Sequence, residues 1–92
     1  MEKPVIWLPE DEKENVSRYG ITFEQANEVV ENQSSFMVAN IHGDYLFIGL
    51  DYAMEVVIKV YCIDDDGFRR IKRAERANAS EADAYFAKLA GE

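Results

Sequence analysis

The sequence predicts an α+β fold with the element order β-α-α-β-β-β-β-α. Two observations carry this prediction. The spacing of apolar residues changes from helical to strand-like near Ser35, and it returns to helical spacing after Asn78. Turn residues separate the apolar runs between these points, which is typical of antiparallel hairpins. We therefore expect an antiparallel meander sheet with helices packed on one face.

The first part of the chain is predicted to form a short strand and two helices. The strand covers Pro4–Leu8, and the first helix covers Glu10–Arg18, with acidic residues in its first turn where the helix dipole favours them. Gly20 suits the left-handed position just past a helix end. Thr22 followed by Gln25 is a capping box, which opens a second helix. That helix should bury one apolar face, formed by Phe23, Ala26, Val29 and Val30, and end near Asn32.

The middle of the chain is predicted to form four strands, which are Phe36–Ile41, Tyr45–Leu50, Glu55–Ile63 and Phe68–Arg73. A turn at His42-Gly43-Asp44 joins the first pair, and a tight turn at Asp64–Gly67 joins the last pair. The three aspartates of this second turn lack the ligand and glycine spacing of a calcium loop, so we predict a turn there and no metal site.

A third helix is predicted from Asn78 to about Leu89. Asn78 and Glu81 form its capping box. Its apolar stripe should pack on the sheet, and the stripe consists of Ala82, Tyr85, Phe86 and Leu89.

The composition of the 92 residues predicts one domain, 1–92, with a modest hydrophobic core. No apolar run is long enough for a membrane helix, and no signal-peptide pattern opens the chain. Cys62 is the sole cysteine, so an internal disulfide is excluded and a cytoplasmic location is expected. His42 lacks a companion ligand, and no cofactor motif is present, so neither a metal nor a cofactor is expected.

The formal net charge of -8 is unevenly distributed. Residues 1–66 hold 14 acidic and four basic residues, whereas Arg69–Arg76 alone hold five of the ten bases. An acidic protein surface disfavours encounter with nucleic acids and favours basic partner surfaces. Solubility alone accounts for such a charge equally well.

The stretch that contains Trp7, Asn15, Gly20 and Phe23 resembles the N-terminal pattern of the BrnT family, W-D-x-x-K-x-x-x-N-x-x-K-H-G-V-x-F-E-x-A. Later segments, from Tyr45 to Tyr85, are similar to the family's strand and C-terminal patterns. BrnT proteins are ribonuclease toxins of type II toxin–antitoxin pairs. The resemblance therefore implies a RelE-like fold, a metal-independent endoribonuclease and a cognate antitoxin, with this chain as a divergent member.

The departures from the family pattern concern charge. Asp11 and Asp44 stand where the family has a lysine and an arginine, Tyr19 replaces a histidine, and Glu75 replaces an arginine. Ribonuclease catalysis needs cations that stabilise the developing charge on the scissile phosphate, and losing one such contact costs about 2–4 kcal/mol of transition-state stabilisation. We therefore expect no catalytic residues in the main interpretation.

That interpretation is a non-catalytic or weakly catalytic binding protein. Its acidic surface would dock on a basic, nucleic-acid-binding protein and inhibit it, as small phage inhibitors such as anti-CRISPR proteins do. The predicted partner-binding residues are Glu10, Asp11, Glu12, Glu14, Asp44, Asp51, Asp64, Asp65, Asp66 and Glu75.

The alternative is a ribonuclease toxin that a cognate antitoxin neutralises. Arg70, Arg73 and Arg76 would hold RNA, and Tyr19 or Glu81 would transfer protons. A one-residue slip of the alignment in the segment 72–76 would place Arg76 at the family's arginine position, so both interpretations stay open.

Overall fold

The computed structural model describes residues 3–39 and 42–91. Its elements are β1 (Val5–Ile6), α1 (Pro9–Tyr19), α2 (Phe23–Glu31), β2 (Phe36–Ala39), β3 (Tyr45–Asp51), β4 (Val56–Asp65), β5 (Phe68–Arg76) and α3 (Ala79–Ala90). The predicted α+β class and element order are confirmed. The last two residues of the predicted strand Phe36–Ile41 lie outside the described residues. None of the described helices combines the length and the apolar character that crossing a bilayer requires.

The strands form one five-stranded sheet in the order β1-β5-β4-β3-β2. Strands β2 to β5 make the predicted antiparallel meander. Strand β1 pairs with β5 in parallel, with Val5 opposite Arg69. The sheet is therefore mixed at this edge, which the sequence did not predict, because a two-residue strand carries no pairing signal.

Strand β5 extends to Arg76, three residues beyond the predicted end at Arg73. A register shift occurs where Tyr61 pairs with Arg73 and Cys62 pairs with Ile71, and it leaves Lys72 as the extra residue of a β-bulge. The bulge lets Ile71 and Ala74 both lie fully buried although they are three residues apart. The period-two pattern that marks a strand is therefore broken within β5.

The turn between β4 and β5 is confirmed and is tighter than predicted, because β4 continues through Asp65. Only Asp66 and Gly67 remain between the strands, and both have positive φ, 51° and 85°. This combination is typical of a two-residue hairpin turn whose twist matches that of the strands.

The hydrophobic core lies between α2 and one face of the sheet. The predicted apolar stripe of α2 is confirmed, since Phe23, Ala26, Val29 and Val30 are all buried. Cys62 is also buried within this core, and burial raises the pKa of its thiol to about 12. The capping boxes that open α2 and α3 are both present, and Gly20 ends α1 with a φ of 73°.

Helix α3 contacts the opposite face of the sheet, so the prediction that all helices pack on one face is wrong in this detail. The Tyr85 ring lies 5.6 Å from the Phe36 ring, and the Glu81 carboxylate accepts a hydrogen bond from Lys59. Side chains of successive strand residues point to opposite faces. Lys59 therefore faces away from its neighbour Ile58, which is fully buried in the core that α2 covers.

Only part of the apolar stripe predicted for α3 is buried. Tyr85 is 2% exposed, whereas Phe86 and Leu89 are 46% and 37% exposed. The last turns of α3 thus cover little of the sheet, and these two side chains remain at the surface.

Gly49 of β3 lies against Ser35 and Val29, and the atom nearest to a Cβ added there is Ser35 Oγ. A Cβ atom at this position would lie 3.0 Å from Val29 Cγ1 and 2.9 Å from Ser35 Cβ. We expect Gly49→Ala to lower the free energy of unfolding by about 1–3 kcal/mol, because the added atom overpacks the core. Urea unfolding measures this change. Gly91→Ala is the matched control, since its Cβ would approach nothing closer than 3.4 Å. Equal effects of the two substitutions would contradict the prediction.

Candidate nucleic-acid interface

An open cleft lies where the C-terminal turn of α1, strand β5 and the N-terminus of α3 meet. It consists of two adjoining depressions that share Arg18 and Tyr19, and the larger has a volume of about 510 Å³. Five basic residues line it, which are Arg18, Lys59, Lys72, Arg73 and Arg76. Four acidic residues also line it, which are Asp11, Glu14, Glu75 and Glu81. We call this the basic cleft, because it has an excess of bases in a protein of net charge -8.

Asn15 fixes α1 against β5 and so forms one wall of the basic cleft. Its side-chain amide donates to the carbonyl oxygen of Ile21 at 2.9 Å, and its carbonyl oxygen accepts from the Ala74 N–H at 2.9 Å. The side chain is buried, with 3% exposure. Asn15, which matches the family pattern, therefore has a structural role. It satisfies the Ala74 N–H at the outer edge of β5.

Lys59 is committed to partners within the chain. Its ammonium lies 3.0 Å from the Glu81 carboxylate and 3.3 Å from that of Glu75, and its side chain is 14% exposed. Burial lowers the pKa of Lys59, but hydrogen bonds to Glu81, Tyr61 and Glu75 more than offset this effect, so the pKa is raised. Lys59 therefore stays protonated and is unsuited to moving a proton.

The other bases of the cleft are more accessible. The Arg73 guanidinium lies 4.1 Å from the Tyr61 ring centroid and 3.7 Å from the Glu75 carboxylate, and its side chain is 48% exposed. Lys72 and Arg76 form no ion pair with any residue in the described part of the chain. Arg18 pairs with Glu14 at 3.3 Å, but both side chains are exposed, and such a pair contributes little to stability. An incoming anion could thus contact several cations at little cost.

The structure brings together three of the four residues predicted for the alternative ribonuclease site. Tyr19, Arg73 and Arg76 line the basic cleft, together with Glu81. Arg70 does not belong to this group, because it pairs with Asp65 at 3.2 Å near the turn between β4 and β5. Its separation follows from its place near the turn, where it pairs with Ile63, whereas Arg73 and Arg76 lie farther along β5.

Sequence reasoning missed Arg18 and Lys59, which line the cleft, and Tyr61, which contacts Arg73. Arg18 precedes Tyr19 in the last turn of α1, and this adjacency was the available signal. Tyr61 supports Arg73 from β4, and only the strand register reveals that pairing.

Two of the predicted partner-binding acids have structural roles instead. Asp51 is 3% exposed, and its carboxylate accepts hydrogen bonds from the N–H groups of Ala53 and Met54. It cannot reach a partner, so its assignment as a partner-binding residue is corrected. Glu12 accepts a hydrogen bond from the Phe23 N–H at 2.9 Å and thereby satisfies the first turn of α2.

Three further acids of that set are neutralised by ion pairs within the chain. Glu75 lies beside Lys59 and Arg73, and Asp65 pairs with Arg70. Asp64 pairs with Lys3 at 2.7 Å and accepts from the Tyr45 hydroxyl at 2.8 Å, and these contacts lower the pKa of Asp64.

The remaining predicted partner-binding acids differ in exposure and position. Glu10 and Glu14 on α1 and Asp66 in the β4–β5 turn are exposed, whereas Asp11 and Asp44 are half-buried. Asp11 and Glu14 line the basic cleft, and Asp44 lines a separate depression beside Tyr45 and Arg69. The acids therefore do not converge on one cavity.

Glu81 links the cleft to the N-terminus of α3. Hydrogen bonds from the Asn78 N–H and from Lys59 lower the pKa of Glu81. Because the folded-state pKa lies below the unfolded value, the ionised carboxylate stabilises the fold above the unfolded pKa. This contribution is lost as the pH falls through the folded pKa.

We expect Glu81→Gln to cost about 0.5–1 kcal/mol at pH 7, because the capping hydrogen bond survives while the charge interaction with Lys59 is lost. The difference from the wild type should vanish in acid. Urea unfolding across a pH series measures this difference in the free energy of unfolding. A difference that persisted unchanged below the folded-state pKa of Glu81 would show that the charge of Glu81 is not its source.

Comparisons with known proteins support the fold. No protein-family model and no curated protein matches the chain. The structure matches the crystal structure of the ribonuclease toxin BrnT of Brucella abortus with a TM-score of 0.68 and 14% sequence identity. The match covers 84% of this chain and 99% of that chain. The BrnT-like fold predicted from the sequence is thereby confirmed.

Proposed function

We propose that the protein is an RNA-binding ribonuclease of the toxin type, which acts in the cytoplasm and is neutralised by a cognate antitoxin. The basic cleft is its proposed RNA site. The observation that carries the proposal is that five bases, against four acids, line the cleft around Tyr19 in a protein of net charge -8. The likeness of the fold to that of a ribonuclease toxin supports it further.

The local charge of the cleft, and not the net charge of the protein, governs contact with a phosphate. Interactions between exposed charges are largely screened beyond about 8 Å at physiological ionic strength. Lys72 and Arg76 line the cleft and form no ion pair among the described residues, so both are available to a phosphate. Acids elsewhere on the surface would then weaken the approach of RNA without preventing its binding.

The proposed reaction assigns one role to each of three kinds of side chain in the cleft. The ribose 2′-oxygen forms a bond to the adjacent phosphorus while the bond from phosphorus to the 5′-oxygen breaks. Arg73 and Arg76 would stabilise the charge that develops on the phosphate oxygens. Glu81 would accept the proton of the 2′-hydroxyl, and the Tyr19 phenol would donate a proton to the leaving 5′-oxygen. The lowered pKa of Glu81 makes it a weak base, so the proposed reaction is slow.

Expression of the protein without an antitoxin tests this function in cells. The proposal predicts growth arrest, and it predicts that Arg73→Ala or Arg76→Ala restores growth at equal protein levels. Arg70→Ala is the matched control, because Arg70 pairs with Asp65 outside the cleft. Wild-type protein that leaves growth unaffected, or equal rescue by the control, would contradict the proposal.

A second candidate function is an acidic inhibitor of a basic, nucleic-acid-binding protein. The observation that favours it is the exposure of Glu10 and Glu14 on α1, in a protein of net charge -8. Such binding should weaken with salt, and Glu10→Lys with Glu14→Lys should weaken it further. Two results together would exclude the inhibitor function. These are growth arrest that depends on Arg73 and Arg76, and an affinity for the basic partner that does not change with salt.

A further inference from the structure

Strand β2 forms an exposed edge of the sheet. It pairs with β3 on one side only, because the strand order ends at β2. Met37 and Val38 are 57% and 52% exposed, and their side chains point to opposite faces of the sheet. An exposed edge of this kind presents unpaired backbone N–H and C=O groups that can bind another strand.

The opposite edge of the sheet is better protected, because its edge strand β1 has only two residues. Strand β1 pairs with the first part of β5, and the Asn15 side chain accepts from the Ala74 N–H farther along. No comparable contact from the described residues covers the outer side of β2. The two edges therefore differ in how far their backbone groups are satisfied.

The sequence around β2 is also uncharged. No Asp, Glu, Lys or Arg occurs in the twelve residues from Asn32 to Gly43, and no other uncharged run in the chain exceeds six residues. Edge strands that avoid association commonly carry charges or proline, and Phe36–Ala39 has neither. The edge strand itself thus carries no charged side chain, and the charges nearest to it come from other elements, with the Lys88 ammonium 4.6 Å from the Phe36 ring and Asp44 beside Val38 and Ala39.

We propose that β2 binds β2 of a second copy of this chain. Antiparallel pairing of two identical strands is self-complementary, and it places a two-fold axis perpendicular to the sheet. The two five-stranded sheets would then join into one sheet of ten strands. Met37 side chains of both copies would lie on one face, and Val38 side chains of both copies on the other.

The charge of the protein selects a second copy over a basic partner at this edge. A basic partner is attracted to the acidic surfaces elsewhere, whereas the uncharged run offers it no complementary charge. Two copies of net charge -8 repel each other, and pairing through Phe36–Ala39 brings no like-charged side chains of the strand itself together. Salt should therefore strengthen this association, which is the opposite of its effect on charge-driven binding.

The pairing leaves the basic cleft open, because the cleft lies beside β5 at the far side of the sheet. A four-residue edge is short, so we expect a weak dimer with a dissociation constant of about 10 µM to 1 mM. The dimer does not depend on the proposed ribonuclease function.

Sedimentation equilibrium of the purified chain over this concentration range tests the proposal. We expect the average mass to rise from one chain toward two, and to rise further when NaCl increases from about 50 mM to 500 mM. Val38→Lys should weaken the dimer at least about 10-fold, because it places two ammonium groups near each other across the axis. Met37→Lys is the second variant and should act in the same direction.

Val16→Lys is the matched control, since Val16 is an exposed valine on α1 with 41% exposure. It should leave the association unchanged. Circular dichroism shows that each variant is folded before it is compared. A wild-type chain that stays monomeric throughout, an association that salt weakens, or equal loss in the Val16 and Val38 variants would overturn the proposal.

Discussion

Asn15→Leu is expected to lower the free energy of unfolding by about 2–5 kcal/mol, because it leaves two buried backbone groups without hydrogen-bond partners. These groups are the Ile21 carbonyl and the Ala74 N–H, each 2.9 Å from the Asn15 side chain. Leucine has the branched shape of asparagine but is larger, so overpacking at this buried site adds to the loss from the unsatisfied polar groups. Urea unfolding of the wild type and the variant measures the difference.

A substitution on α2 provides the control for this prediction. The half-buried Asn27 donates one 3.4 Å hydrogen bond to Glu31 and satisfies no backbone group among the described residues, so Asn27→Leu should lower the free energy of unfolding by about 0.5 kcal/mol or less. Equal changes in the free energy of unfolding for Asn15→Leu and Asn27→Leu would contradict the prediction. They would show that the hydrogen bonds of Asn15 do not hold α1 against β5.

Arg76→Glu is expected to reduce the affinity for single-stranded RNA by about 10- to 100-fold at low salt, because it replaces a phosphate contact with a repulsion. Fluorescence anisotropy with a labelled oligonucleotide measures the affinity across a salt series. The slope of log affinity against log salt concentration should also fall by about one unit. Lys88→Glu makes the same change of charge on α3, outside the cleft, and should alter the affinity by less than about 3-fold.

The positions at which the chain departs from the family's charge pattern lie mostly together. Asp11, Tyr19 and Glu75 all line the basic cleft, and only Asp44 lies elsewhere. Lys72 and Arg73 line the same cleft from β5. The charges of the cleft are thus redistributed and not simply lost, which is why the alternative interpretation from the sequence gains support from the structure.

The elements with local signals were predictable from the sequence. Capping boxes at Thr22 and Asn78 fixed the starts of α2 and α3, and Gly20 fixed the end of α1. These signals consist of side-chain contacts between residues a few positions apart, so a sequence displays them directly. The turn at Asp66-Gly67 was predictable for the same reason.

Features that depend on pairing across the sheet were not predictable. The bulge at Lys72 became visible only once β5 was paired with β4, and it sets the register of Arg73 and Arg76 against β4. The parallel pairing of β1 and the face on which α3 lies likewise follow from long-range contacts. Asp51 was misassigned because a carboxylate that accepts backbone hydrogen bonds has the same sequence signature as an exposed acid.

The central claim is that the basic cleft binds and cleaves RNA, and a cleavage assay with the purified protein tests it most directly. The wild type is incubated with a single-stranded RNA labelled at its 5′ end, in the presence of a metal chelator. We expect slow cleavage that Arg73→Ala and Arg76→Ala each reduce by about 100-fold, while Arg70→Ala retains it. RNA left intact by the wild-type protein, or cleavage that survives both cleft substitutions, would contradict the claim.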